Sequence, residues 1–283
     1  MNYKVLSNGV KMPMVGFGVF QVDDQKVCEQ AVLDAIEVGY RSIDTAATYL
    51  NEEAVGKAVA TSGIKREEFF ITTKLWVQDH GYDNTKRAFD KSLKKLGLDY
   101  LDMYLIHKPY GDYYGSWRAM EDLYKEGIIK AIGVTSFPSE RLLDLFLHNE
   151  IKPMVNQIET NVWFQRKEEE KFLKKEGIAH EAWAPFAEGN NDVFNAPVLK
   201  EIGVKYGKST GQVMLRWLLQ RDVTVIPKSV KKERMKQNID VFDFELAIED
   251  MEKIAAMDTG KSTIHDPQDL ETARWIGTFT VEL

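Results

Sequence analysis

The chain has 283 residues, 44% of them apolar and 29% charged, with a formal net charge of −7. That composition supplies a large globular core, and the acidic balance excludes a general nucleic-acid binder, which needs a basic footprint. One cysteine, Cys28, rules out an internal disulfide framework.

The first residues hold no apolar run of signal-peptide length, and no stretch approaches the roughly 18 apolar residues of a membrane span. The expectation is a cytoplasmic protein. Tyr3 to Leu6 and Val10 to Met12 flank Ser7-Asn8-Gly9, a strong hairpin signal. Strand and helix patterns then alternate. Val15 to Val19 reads as a strand, and Asp24 to Val38 as a helix stopped by Gly39. Cys28 falls on the apolar face of that helix and reads as a core residue.

Strand Arg41 to Asp44 leads to helix Glu52 to Thr61, with Asn51 as the expected N-cap and Glu52 and Glu53 in the first turn. Strand Phe69 to Leu75 leads to helix Asn84 to Leu96, and strand Tyr100 to His107 to helix Ser116 to Glu126. Strand Ile128 to Thr135 precedes helix Arg141 to Asn149. Strand Met154 to Glu159 precedes helix Lys167 to Lys175, and Ile178 to Trp183 is the seventh strand of the series. Two helical patterns follow, Pro197 to Tyr206 and Thr210 to Gln220, the second with a capping box from Ser209 and Gln212. Val223 to Ile226 is the eighth strand, followed by short helix Glu233 to Gln237 and a last helix within Phe244 to Met257 whose start, at Ala247, lacks a capping side chain.

Strands this far apart pair in parallel through crossovers. Eight such units predict an α/β fold, a (β/α)8 TIM barrel, as one domain over residues 1–283, at a length close to the ~250 residues typical of that fold. Gly16-Phe17-Gly18 lacks the third glycine of a dinucleotide fingerprint and is a weak signal. The tail from Asp258 to Leu283 reads as irregular, either disordered or an ordered lid, and Trp275, Ile276 and Phe279 favour the lid.

The chemistry gathers at strand ends. Asp44 ends the second strand, Lys74 lies near the end of the third, and His107 ends the fourth. Tyr49 follows the second strand. In a parallel barrel all four project toward one rim. A phenol is a poor acid near neutrality; a nearby Lys stabilises its phenolate and lowers its pKa, and an Asp keeps that Lys charged. A neutral His can hold a carbonyl oxygen. Such a group can donate a proton to a C=O that receives hydride from a cofactor. Two other readings stay open here: Lys74 as a Schiff-base lysine of an aldolase-type barrel, and a non-catalytic or redox-sensing binding module.

These residues resemble a known family. Gly39-Tyr40-Arg41-Ser42-Ile43-Asp44-Thr45-Ala46, Lys74-Leu75-Trp76, Leu105-Ile106-His107, Val155-Asn156-Gln157-Ile158-Glu159 and Ile226-Pro227-Lys228-Ser229 together look like an aldo-keto reductase, over nearly the whole chain. The resemblance implies a barrel closed at its bottom by the N-terminal hairpin, with a C-terminal loop over the site and NADP(H) extended across the rim. It implies a catalytic tetrad of Tyr49, Asp44, Lys74 and His107. For the cofactor it implies Gln157, Thr135 and Ser136 near the nicotinamide carboxamide, Trp183 stacked on the ring, Lys228, Ser229 and Arg234 around the 2′-phosphate, and Asn238 near the adenine. The implied pocket is lined by Phe20, Trp76, Tyr110 and Phe186. The expected activity is NADPH-dependent reduction of aldehydes or ketones by a monomer, with a small carbonyl compound as partner and no nucleic acid or membrane.

This chain departs from the family pattern at Ser136, where an Asn is usual, at Lys108, often Trp or Gln, and at Gln237, where Glu is frequent. The remaining histidines, His80, His148, His180 and His265, lack ligand spacing, so no metal is expected.

Overall fold

The structure, a computed structural model, describes residues 2–264 and 269–282. Strands β1 (Tyr3–Val5) and β2 (Lys11–Pro13) form the hairpin, with Tyr3 opposite Pro13 and Val5 opposite Lys11. Gly9 takes a φ of +87° in the turn, a conformation that favours glycine. Leu6 and Met12 point from this hairpin into the core.

The main sheet is parallel and curled, with strands in chain order: β3 (Phe17–Gly18), β4 (Ser42–Asp44), β5 (Phe70–Leu75), β6 (Met103–Ile106), β7 (Ile132–Thr135), β8 (Val155–Glu159), β9 (Ala179–Trp183) and β10 (Thr224–Val225). Its two edges meet. A parallel bridge joins Val15 to Val225, and Gly16 N–H donates to Val225 O at 2.8 Å, Val225 N–H to Met14 O at 3.0 Å and Gly18 N–H to Pro227 O at 3.2 Å. Every residue of β5 is buried, as expected for a parallel strand covered on both faces. In such a strand Lys74 is the anomaly, and its partners lie at the site described below.

Helices follow the strands much as the sequence predicts: Gln25–Glu37, Glu52–Thr61, Tyr82–Leu96, Tyr113–Lys125, Ser139–Leu147, Lys167–Glu176, Pro197–Tyr206, Thr210–Gln220, Lys232–Ile239 and Ile248–Ala255. The capping box of Ser209 and Gln212 is formed. Ala247 begins its helix without a capping side chain, and its N–H is taken up by the Tyr206 hydroxyl at 2.9 Å.

Asn51 differs from its expected role. Its side chain makes no capping bond to the helix it precedes. It is fully buried, accepting from the Thr45 hydroxyl at 2.7 Å and donating to Val19 O at 3.0 Å and Val22 O at 3.2 Å. It ties the loop after β3 to the loop after β4. Glu52 is likewise buried, accepting from Thr73 at 2.7 Å rather than facing solvent in the first turn.

The helices Glu52–Thr61 and Tyr82–Leu96 touch backbone to backbone. A Cβ on Gly56 would sit 2.2 Å from Leu96 O and 2.6 Å from Leu96 C. Backbone cannot yield as a flexible side chain does. Gly56→Ala should therefore destabilise the protein by about 1–3 kcal/mol or more, read as a lower urea midpoint at unchanged slope.

The tail contains a helix that the sequence reading did not find, Leu270–Thr278, capped by Asp269 accepting from Thr272 N–H at 2.8 Å. After it the chain runs along the turn that follows β5. Gln78 Nε2 donates to Val281 O at 3.1 Å, and Val281 N–H returns to Gln78 Oε1 at 2.9 Å. Among the described residues no helix is long and apolar enough to cross a membrane.

Candidate active site

Asp44 ends β4, Lys74 is the penultimate residue of β5, and His107 follows β6. After Asp44 the chain makes one tight turn, Ala47–Tyr49, which brings the Tyr49 phenol back over the strand ends. Lys74 Nζ donates to Asp44 Oδ1 at 2.5 Å, to Thr45 O at 2.9 Å and to the Tyr49 hydroxyl oxygen at 3.4 Å. The three protons of the ammonium thus have three acceptors. The rings of Tyr49 and His107 meet edge to face, centroids 5.6 Å apart.

Electrostatics fix the protonation states. Burial alone would pull Lys74 down, but the charge of Asp44, the phenol and their hydrogen bonds outweigh it and hold the ammonium above its ordinary range. Lys74 is therefore a cation, the wrong state for an amine nucleophile. Burial, then the charges of Lys74 and Lys108, push His107 well below its ordinary value, so it is a neutral imidazole. The Thr48 hydroxyl lies 3.4 Å from His107 Nδ1; donation there leaves the ring proton on Nε2. For Tyr49 the direction is opposite to the sequence expectation. Burial raises the phenol, and Lys74 offsets this only in part. The hydroxyl stays protonated, as a proton donor must.

Behind these groups lies a carboxylate that the sequence reading missed. Gln157 Nε2 donates to Asp44 Oδ2 at 3.0 Å and to Glu181 Oε2 at 2.8 Å. Glu181 is buried in β9, and burial together with the Asp44 charge pushes its carboxyl up. The available signal was a charged residue inside a strand covered on both faces.

The other expected residues divide. Phe20, half exposed, packs 4.9 Å from Tyr49, and Trp76 lies 5.1 Å from His107 and 6.1 Å from Phe279. Trp76 Nε1 donates to Phe279 O at 2.8 Å, so the tail walls this side. The Tyr110 ring lies 5.8 Å from the Arg141 guanidinium, and its carbonyl accepts from His80 at 2.6 Å. Phe186 packs tilted against Phe194 at 5.4 Å and lies against Gly211.

Thr135 spends its hydroxyl proton on the His107 carbonyl. Ser136 accepts from Lys108 Nζ at 3.1 Å, and Trp183, at the end of β9, lies 5.4 Å beneath the same ammonium. Ser229 Oγ accepts from Lys231 N–H at 3.1 Å just before helix Lys232–Ile239, and Asn238 is buried on that helix beside Gly211. Lys228 and Arg234 are exposed and, among the described residues, form no ion pair. Lys232 is different: it pairs with Glu37 at 2.6 Å. A helix start flanked by two unpaired cations and a hydroxyl has the donor chemistry of a phosphate site. Among the described residues no three His, Cys, Asp or Glu side chains gather as a metal would require; His265 lies outside them.

With this geometry in place, comparison with known proteins gives the class. The Aldo/keto reductase family profile matches residues 14–259. Glyoxal reductase of Bacillus subtilis (strain 168) is 49% identical over 266 residues, spanning 94% of this chain and 96% of the relative. Among solved structures, an aldo-keto reductase from a Medee basin deep-sea metagenome library is 44% identical with a TM-score of 0.91, over 94% of this chain and 99% of that one. A Bombyx mori aldo-keto reductase in complex with NADP is 36% identical with a TM-score of 0.87, over 96% of each chain. The chain belongs to the aldo-keto reductase family. It is thus an oxidoreductase of the NADP-dependent, carbonyl-reducing kind.

Proposed function

We propose that this protein reduces small aldehydes and ketones to alcohols with NADPH, Tyr49 delivering the proton. The observation that carries the reading is Lys74 Nζ, shared between Asp44 and the Tyr49 hydroxyl beside a neutral His107. NADPH, when bound, supplies the hydride to the carbonyl carbon. His107 Nε2–H holds the carbonyl oxygen, and Tyr49 gives that oxygen its proton as negative charge grows there. The phenolate left behind is stabilised by the Lys74 ammonium, which Asp44 keeps charged. The curled sheet with joined edges is read as a closed (β/α)8 barrel in one domain, with the hairpin beneath and the C-terminal segment over the site. A cytoplasmic monomer fits this reading.

Phe20, Trp76 and Phe279 make aromatic walls suited to a flat or apolar carbonyl compound. Similarity to a glyoxal reductase adds small dialdehydes to the candidates. The cofactor would be held by Trp183 at the ring, Gln157 and Ser136 at the carboxamide, and Lys228, Ser229 and Arg234 at the 2′-phosphate.

That last contact is testable by cofactor choice. NADH lacks the 2′-phosphate that Lys228 and Arg234 would bind. One charge-assisted hydrogen bond contributes about 1.5–3 kcal/mol, and 1.4 kcal/mol is a factor of ten. Arg234→Ala should raise the Kd for NADPH about tenfold and leave that for NADH nearly unchanged, measured by quenching of tryptophan fluorescence. Equal wild-type affinity for both cofactors would remove this assignment.

A further inference from the structure

In the mechanism above Lys108 only helps to keep His107 neutral and touches no reacting group, yet it is held at the heart of the site. It follows His107 directly, and its half-buried ammonium reaches the Ser136 hydroxyl at 3.1 Å over the face of Trp183. Among the described residues it forms no ion pair. Glu159, the acid whose charge it feels, is engaged instead with Ser262 at 2.5 Å and Asn161 at 3.2 Å. A partly desolvated cation without a counter-ion is costly unless a ligand completes its hydrogen bonds.

The donors and acceptors around Trp183 show which ligand atom is missing a partner. A nicotinamide ring presents one polar substituent, a carboxamide, with an N–H group that needs an acceptor and an oxygen that needs a donor. Gln157 spends both amide protons on Asp44 and Glu181, so its Oε1 remains to accept. Thr135 has given its proton to the His107 carbonyl. Ser136 accepts from Lys108 and keeps a single hydroxyl proton on a short side chain. Against the one hydroxyl proton of Ser136, Lys108 has two protons to spare beyond the one it gives to Ser136, on a longer and charged side chain over Trp183.

We propose that Lys108, braced by Ser136, is the hydrogen-bond donor to the carbonyl oxygen of the nicotinamide carboxamide. This rests on reading the site as an NADPH-dependent reductase. The pair replaces the donor that an Asn at position 136 would provide. Backbone does not force the change: Ser136 has a φ of +59°, a left-handed conformation that Asn tolerates well.

The proposal has a pH signature. Burial lowers Lys108 to about 8, Lys74 repels it further and Glu159 opposes the shift, while the adjoining His107 is neutral. The ammonium is present below about 8 and is lost above it, so NADPH affinity should fall as pH rises past that value.

The test is a fluorescence titration of the full-length protein with NADPH and with adenosine 2′,5′-bisphosphate, which lacks the nicotinamide. Lys108→Met should raise the Kd for NADPH about tenfold and remove the loss of affinity above pH ~8. The Kd for the bisphosphate should stay within about twofold of wild type. Lys108→Gln should fall between, and Ser136→Asn placed in the Lys108→Met background should recover part of the loss. Unchanged NADPH binding in Lys108→Met would overturn the proposal. If that variant instead loses kcat/KM for 4-carboxybenzaldehyde but not for 4-nitrobenzaldehyde, the ammonium serves a substrate carboxylate and the proposal is wrong. Equal weakening of NADPH and the bisphosphate would also overturn it, as general loosening of the site. A wild type that binds neither compound removes the underlying reductase reading itself, and the proposal with it.

Discussion

Tyr49→Phe should bind NADPH as the wild type does and reduce carbonyl compounds at least ~10²-fold more slowly. The substitution removes one oxygen. The ring remains between Phe20 and His107, so the walls of the pocket persist. What disappears is the hydroxyl that Lys74 Nζ approaches at 3.4 Å. General acids contribute typically 10²–10⁴-fold. His107 cannot substitute, because burial and two neighbouring cations hold it neutral, and a neutral imidazole is a weak acid. The fall should appear in kcat, with the Kd for NADPH within about twofold of wild type. A Tyr49→Phe enzyme with unchanged kcat for an aromatic aldehyde would remove Tyr49 from the proton-donor role.

Lys74→Met should cost both stability and activity. The ammonium has no exposed surface, and its removal leaves Asp44 Oδ1 and Thr45 O without their donor. Breaking a buried ion pair from one side typically costs about 3–5 kcal/mol, because the other charge stays buried. Gln157 still donates to the other Asp44 oxygen, which places the loss toward the lower end. A second substitution separates the two roles. Lys74→Met combined with Asp44→Leu replaces the pair by apolar groups, a change that is often neutral for stability. The double variant should regain much of the urea midpoint and none of the activity. Recovery of activity along with stability would mean that the pair is only a structural strut.

Much of this arrangement was legible in the chain. Strands such as Phe70–Leu75 are uninterrupted buried runs bounded by helices, so their number, order and parallel sense follow from pattern alone. The positions of Asp44, Lys74 and His107 at strand ends follow from that count, and the structure brings them together with Tyr49. What was illegible depended on competition between local and distant partners. Asn51 has the side chain of an N-cap, but Thr45 and the carbonyls of Val19 and Val22, up to 32 residues away, claim it. Lys232 belongs by sequence to a basic run, yet Glu37 neutralises it from another helix. Tyr110 and Phe186 are aromatic residues near strand ends, and only side-chain direction tells that they turn toward Arg141 and Phe194. The helix Leu270–Thr278 is short and ends in Gly277 and Thr278, both weak helix formers, and its docked tail at Gln78 is visible only in three dimensions. The sign of the Tyr49 shift also needed burial, since the opposing effects of desolvation and Lys74 can be named but not weighed from sequence.

The most direct test is a turnover assay of the wild-type protein with NADPH and 4-nitrobenzaldehyde, following NADPH consumption and identifying the product. The account predicts one alcohol formed for each NADPH oxidised, and no adduct on Lys74 when borohydride is added with substrate. No NADPH consumption across a panel of aldehydes and ketones by folded protein, or a borohydride-trapped adduct at Lys74, would contradict it.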